Sequence, residues 1–171
     1  PIRPMFPEAY FNETQVLVTV YSSDSQHDSD VLGACAASAA LMVSDAPFDG
    51  PIAEVRIGRI DGQFVVNPTH DELEHSDLDA IVAGTETSIV MVEGESKEIS
   101  EADMIQGLKV AHEAIKGLCR VQVELAREVA KSKRPVVPKQ FPEDLTADVK
   151  RLGATKIKEL SLTVLAKEER A

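Results

Sequence analysis

Asp28–Pro51 reads DSDVLGACAASAALMVSDAPFDGP, and the fold is worked out from this stretch. Val31–Val43 is a run of small and apolar residues with no strongly polar face, which predicts a helix buried on most sides. Alanine is the best helix former, and Asp28, Ser29 and Asp30 offer an N-cap and suit the positive end of the helix dipole. Gly33 costs roughly 1 kcal/mol of helix propensity relative to Ala, so it is expected where another backbone comes close. Pro47 biases Ala46 away from helix, and Asp49-Gly50-Pro51 turns the chain into a strand. The rest of the chain is expected to pack around this helix.

Outward from it, Gln15–Tyr21 is β-branched and nearly continuously apolar, the pattern of a strand covered on both faces. Pro1–Pro7, with three prolines, reads as extended. Ile52–Ile60 alternates apolar with charged residues and predicts a half-exposed strand. Asp61-Gly62 marks a two-residue hairpin turn into Gln63–Val66. His70–Ser76 is a short polar turn or helix, Asp77–Ala83 and Ser88–Glu93 are strands, and Gly94 is expected to close that hairpin. Ser100 with Asp103 resembles a capping box and opens a long helix reaching about Lys131. Lys131–Pro142, with three prolines and four basic residues, is a linker. A short helix over Leu145–Leu152 ended by Gly153, and a second over Ala154–Ala171, follow. The fold class is α+β: a mixed sheet with helices on one face, then a short all-helical segment.

Composition narrows the function. With 43% hydrophobic and 27% charged residues the chain is an ordinary globular protein, and no apolar run is long enough to cross a bilayer. Cys35 and Cys119 are lone thiols in predicted helices, which fits a reducing cytoplasm and a structural role. The first residue is Pro1, so the chain is expected to be a piece of a longer polypeptide. The net charge is −11, with 4 Lys/Arg against 18 Asp/Glu in residues 1–100 and 14 against 11 in residues 101–171. The first part therefore repels a phosphate backbone over most of its surface, and any nucleic-acid contact must be local.

The densest polar cluster is His70, Asp71, Glu72, Glu74, His75, Asp77 and Asp79. Such groups can hold Mg²⁺, Mn²⁺ or Zn²⁺, but they equally make a solvated turn, and the histidines lie five apart rather than at i, i+4. Asp79 stands out because it lies inside a strand. Ser38 is read as bonding to the backbone one turn back rather than as a nucleophile, and His27 and His112 are isolated. The basic run Lys131, Lys133, Arg134 and Lys139 reads as phosphate-contacting or as solvated linker, and Arg3, between prolines, is the best single candidate for a phosphate contact. The chain has no Gly-rich phosphate loop and no GxSxG elbow.

PIRPMFPEAYFNETQVLVTVYS (1–22) and ASAALMVSDAPFDGPIAEVRIGRIDGQFVVNPTHDELEHSDLDAIVAGTETSIVMVEGE (37–95) resemble the first RNase PH-like core of the polynucleotide phosphorylase family. The resemblance divides the chain into the C-terminal part of that core (1–131), a linker (132–141) and the start of an all-helical domain (142–171). It implies 3′-to-5′ phosphorolytic degradation of RNA, with nucleoside diphosphates as products. It also implies a ring-shaped homotrimer, partners in RNA degradation, Mg²⁺ or Mn²⁺ in the full-length enzyme but none in this stretch, and a cytoplasmic location. The family's active site belongs to its second core. There a serine-rich segment cradles phosphate, where this chain has His27-Asp28-Ser29-Asp30; two aspartates there repel phosphate. Of the two aspartates and one lysine of the active core, only Asp79 remains as a residual metal candidate, with Leu73 and Ile81 at the other two places. The resemblance thus implies no catalytic residue in this chain, and it keeps Arg3 near the RNA path. The alternatives are a ring-forming structural module, or a subunit of an exosome-like ring, against which residues 132–171 count. Without the upstream half of the core, self-association through apolar sheet surface is expected.

Overall fold

The computed structural model describes residues 1–138 and 140–164. It divides into one unit spanning Pro1–Val136 and a second from Val137 onward. In the first, helix α1 (Asp30–Val43) is followed by strands β1 (Ala53–Ile60) and β2 (Gln63–Val66), a short helix α2 (His70–Glu74), strands β3 (Leu78–Gly84) and β4 (Ile89–Ser96), and the long helix α3 (Glu101–Val129). The second contains α4 (Glu143–Leu162).

The sheet has the order β2-β1-β3-β4, and its pairings are antiparallel. Asp61 and Gly62 both take positive φ, 49° and 77°, the geometry a two-residue β1–β2 hairpin demands. Alternation along the strands sends Val55, Ile57, Leu78, Ala80 and Val82 to one face, where they meet Ala111, Ile115 and Cys119 of α3. Each fully buried aliphatic side chain there contributes about 1.5–3 kcal/mol. The other face carries Glu54, Arg56, Asp79, Ile81, Glu93 and Glu95, placed side by side by the register.

The core is therefore organised by α3 rather than by α1. Only Val31, Ala37, Ser38 and Leu41 of α1 are buried, and Leu32 is 69% exposed. The absence of a polar face was a poor guide because alanine costs little to leave in water. α1 runs along the first half of β1, where β2 pairs only Ile57–Ile60. Cys35 Sγ takes the Glu54 N–H (3.5 Å), and Ser38 Oγ takes the Ile52 N–H (3.0 Å). From α3, Gln122 Nε2 donates to the Ile52 carbonyl (2.9 Å). Near Gly33 an added Cβ would meet only a Val18 methyl at 3.4 Å, so no backbone approaches there.

Several further expectations are corrected. Gln15–Tyr21 forms no strand: the sheet offers it no partner, and Leu17 (81%) and Tyr21 (96%) are exposed. Without it the sheet is antiparallel and not mixed. Pro1–Pro7 is not extended: Arg3–Met5 forms a 3₁₀ turn that packs Ile2, Met5 and Phe6 against Leu41, Phe48 and Ile52. β1 is buried along most of its length, Glu54 included, since α1 covers what alternation predicts to be open. Gly94 lies inside β4, where a Cβ would run into the Asp79 carbonyl and Ala80, so its role is close strand approach and not a turn. Ser100 does cap α3, its hydroxyl accepting the Asp103 N–H (3.1 Å), but the full reciprocal capping box is Thr69–Glu72 at α2. α4 runs unbroken through Gly153, where an added Cβ would make one ordinary contact. Leu165–Ala171 of the expected second helix, and Lys139, lie outside the described residues.

Candidate functional site

Arg56 is the hub of the acidic sheet face. It sits on β1 opposite Ile81 of β3, and its side chain is 14% exposed. Nη1 donates to Asp79 Oδ1 at 2.6 Å, and Nη2 reaches Asp30 Oδ2 at 2.7 Å and Asp28 Oδ2 at 3.2 Å. One planar guanidinium thus joins β3 to the loop and first turn of α1, using the fork geometry an ammonium lacks. Burial works against the Arg56 charge, but the carboxylates of Asp79 and Asp30 outweigh it and hold its pKa above the usual arginine value.

The loop before α1 is set by Asp24. Its carboxylate accepts the N–H groups of Gln26 (2.9 Å) and His27 (3.1 Å) and bonds the His27 ring (3.0 Å). Those bonds, Gln26 first, bring its pKa down to about 2. The Gln26 carbonyl accepts the His70 N–H (2.8 Å), and His70 Nε2 stands 3.9 Å from Asp28. The His27–Asp30 segment and Asp79 are therefore brought together through Arg56.

Ile81 lines a cavity of about 310 Å³ with Arg56, Asp79, Glu93 and Glu95. Leu73 lines an adjoining cleft that also reaches Asp79. Glu54, on the same face, has its pKa raised by burial and then by repulsion from Asp30 and Glu93. An anion entering here meets carboxylates on several sides, and a cation must displace a guanidinium. Among the described residues no group of three or more His, Cys, Asp or Glu is arranged to hold a metal ion.

Other residues singled out by the sequence lie elsewhere. Arg3 lines a separate cleft with Phe6 and Tyr10, whose rings stack with centroids 5.4 Å apart, and it makes no ion pair among the described residues. Of the rest of the acidic cluster, Glu72 closes the α2 capping box, and Asp77 accepts from Arg59 through both oxygens, Oδ1 from Nε at 3.0 Å and Oδ2 from Nη2 at 2.8 Å. His112 Nε2 contacts the Thr85 carbonyl at 3.0 Å. Burial pushes the Cys119 thiol up to about 11, so it stays protonated. Lys133 and Arg134 bond to the end of α1, Lys133 to its last carbonyls and Arg134 to Asp45, rather than standing free for phosphate. Arg56 itself was missed. Its signal was scarcity: it is one of four cations among the first 100 residues, set in a strand beside 18 acids.

Residues 50–114, from the start of β1 into α3, match the 3′ exoribonuclease family, domain 2. Over 170 residues, 99% of its length, the chain is 54% identical to the polyribonucleotide nucleotidyltransferase of Chlorobium phaeovibrioides and 55% identical to that of Chlorobaculum parvum. The protein of the same name from Prosthecochloris aestuarii is 46% identical over the same span. The chain spans 23% of the length of each of these relatives. No described helix is long and apolar enough to cross a membrane. Along nearly its whole length the chain is thus similar to a stretch of about a quarter of the polyribonucleotide nucleotidyltransferases, and its residues 50–114 match domain 2 of the 3′ exoribonuclease family.

Proposed function

We propose that this chain is the C-terminal part of a non-catalytic first RNase PH-like core (1–131), followed by a linker (132–141) and the start of an all-helical domain (142–171), within a phosphorolytic 3′-to-5′ exoribonuclease. In the reaction a phosphate oxygen attacks the phosphorus of the last phosphodiester. The bond to the preceding 3′ oxygen breaks, and a nucleoside diphosphate leaves while the shortened RNA keeps a 3′-hydroxyl. The reverse reaction adds nucleotides. The reading extends to a homotrimeric ring, partners in RNA degradation and a cytoplasmic location.

The observation that carries the non-catalytic role is Arg56 bonded to Asp79, Asp30 and Asp28 at once. Phosphorolysis needs a bound phosphate, a cation to offset the charge developing on it, and donors aimed at the leaving oxygen. Here the built-in guanidinium already engages the carboxylates, while Leu73 and Ile81 bring neither a ligand nor a donor. The residues present do not fit Mg²⁺ or Mn²⁺, which want about six oxygens. The divalent ion of the full-length enzyme belongs to another part of the protein. What this stretch contributes is architecture: Val121, Leu125 and Val129 stand exposed on α3 as a face for neighbouring parts of the assembly.

Phosphate-dependent release of ADP from poly(A) tests the reading, with this stretch and the full-length protein compared at equal molarity. The full-length protein is expected to be active and the stretch alone to give no ADP above background. ADP released by the stretch at a rate comparable to the full-length protein would overturn it.

A further inference from the structure

The C-terminal end of α1 has Pro47 three residues past its cap, but its other local stop signals are missing. Its last turn holds no basic residue, and it ends at Ser44 in extended conformation rather than at a left-handed glycine. The final carbonyls of a helix have no partner within it and form its negative end. Here the Ser44 hydroxyl donates to the Leu41 carbonyl (2.9 Å), and the other partner comes from about ninety residues further along the chain. Lys133 Nζ donates to the carbonyls of Leu41 (2.8 Å), Met42 (3.0 Å) and Ser44 (2.9 Å), using all three hydrogens of the ammonium.

Two backbone bonds flank this cap. The Lys131 N–H donates to the Val43 carbonyl (3.0 Å), and the Arg134 N–H donates to the Asp45 carbonyl (2.8 Å). The Arg134 guanidinium adds two bonds to the Asp45 carboxylate, at 2.7 and 3.2 Å. Residues 131–134 therefore form a strap across the end of α1, and the first unit ends two residues later, at Val136.

We propose that Lys133 is a latch: its ammonium holds residues 131–134 against the end of α1, so that this stretch comes away from the first unit when the ammonium is removed. With the ammonium removed, the bonds of Lys131 to Val43 and of Arg134 to Asp45 open ahead of the rest of the first unit. The strap is a conformational device independent of the catalytic reading, since it touches neither Arg56 nor its carboxylates.

Amide hydrogen exchange on the intact protein, read by mass spectrometry for wild type, Lys133→Met and Lys133→Arg, tests the latch. In Lys133→Met the amides of Lys131 and Arg134 are expected to exchange about tenfold faster or more, with β3 amides unchanged. Lys133→Arg keeps the charge and several donors, and is expected to stay within about threefold of wild type. Unchanged protection at Lys131 and Arg134 in Lys133→Met would overturn the proposal. So would an equal loss across β3, or a Lys133→Arg protein as unprotected as Lys133→Met.

Discussion

Arg56 and Glu54, two positions apart on β1, show how one strand face can hold opposite electrostatic outcomes. Arg56 gains three carboxylate partners, whereas Glu54 is 8% exposed among Asp30 and Glu93. Burial and repulsion raise the Glu54 pKa, so the folded state holds its proton more tightly than the unfolded chain. Its charged form therefore costs stability at neutral pH, and that cost vanishes as pH falls below the unfolded value near 4.5. Glu54→Gln is expected to stabilise the protein at pH 7 by about 1 kcal/mol, roughly 2–4 °C in Tm. The gain should disappear in melts taken near pH 4. An equal or greater gain at pH 4 would show that the charge is not its source. Composition displayed the excess of acid, but not which acids share a face, because that depends on the β1–β3 register.

Among the elements, the close approach of β3 and β4 depends on Gly94. A Cβ at that position would occupy the space of the Asp79 carbonyl and Ala80. Gly94→Ala is expected to cost about 3 kcal/mol by forcing the strands apart, read as a lower urea midpoint with the slope unchanged. A midpoint equal to wild type would mean the strands can shift without penalty. The Asp61-Gly62 hairpin, α3 and the short strands were legible because turn chemistry and hydrophobic period are local signals. Gly94 was misread because a glycine after a strand looks the same whether it turns the chain or admits a neighbour. Gln15–Tyr21 carries the composition of a strand, yet pairing is a property of two segments, and no described edge takes it up. Ser38, Cys35 and Gln122 show the converse: they hold the backbone of Ile52 and Glu54 across the joint between α1, β1 and α3, Ser38 reaching Ile52 rather than the turn before it, and only the fold reveals those partners.

For the molecule as a whole, the sequence carries the family resemblance and all three degenerate site positions, while the folded chain supplies the cation that bonds Asp79. Leu73, Asp79 and Ile81 could be placed by spacing within one short stretch, whereas Arg56 lies on a different strand. Its bonds to Asp30 and Asp28 further depend on how the loop at His27 docks against α2. The central claim is that this core carries the fold of a phosphorolytic enzyme without its chemistry, and that Asp79 serves Arg56 and not a metal. The measurement that tests this most directly is phosphate-dependent ADP release from poly(A) by the full-length protein carrying Asp79→Asn, with Mg²⁺ saturating. Asparagine keeps the shape of the side chain and one acceptor for Arg56. The account predicts kcat within about twofold of wild type, against the hundredfold or greater loss expected when a group that stabilises the transition state is removed. A loss of that size in a protein that still assembles would place Asp79 in the catalytic machinery and contradict the account.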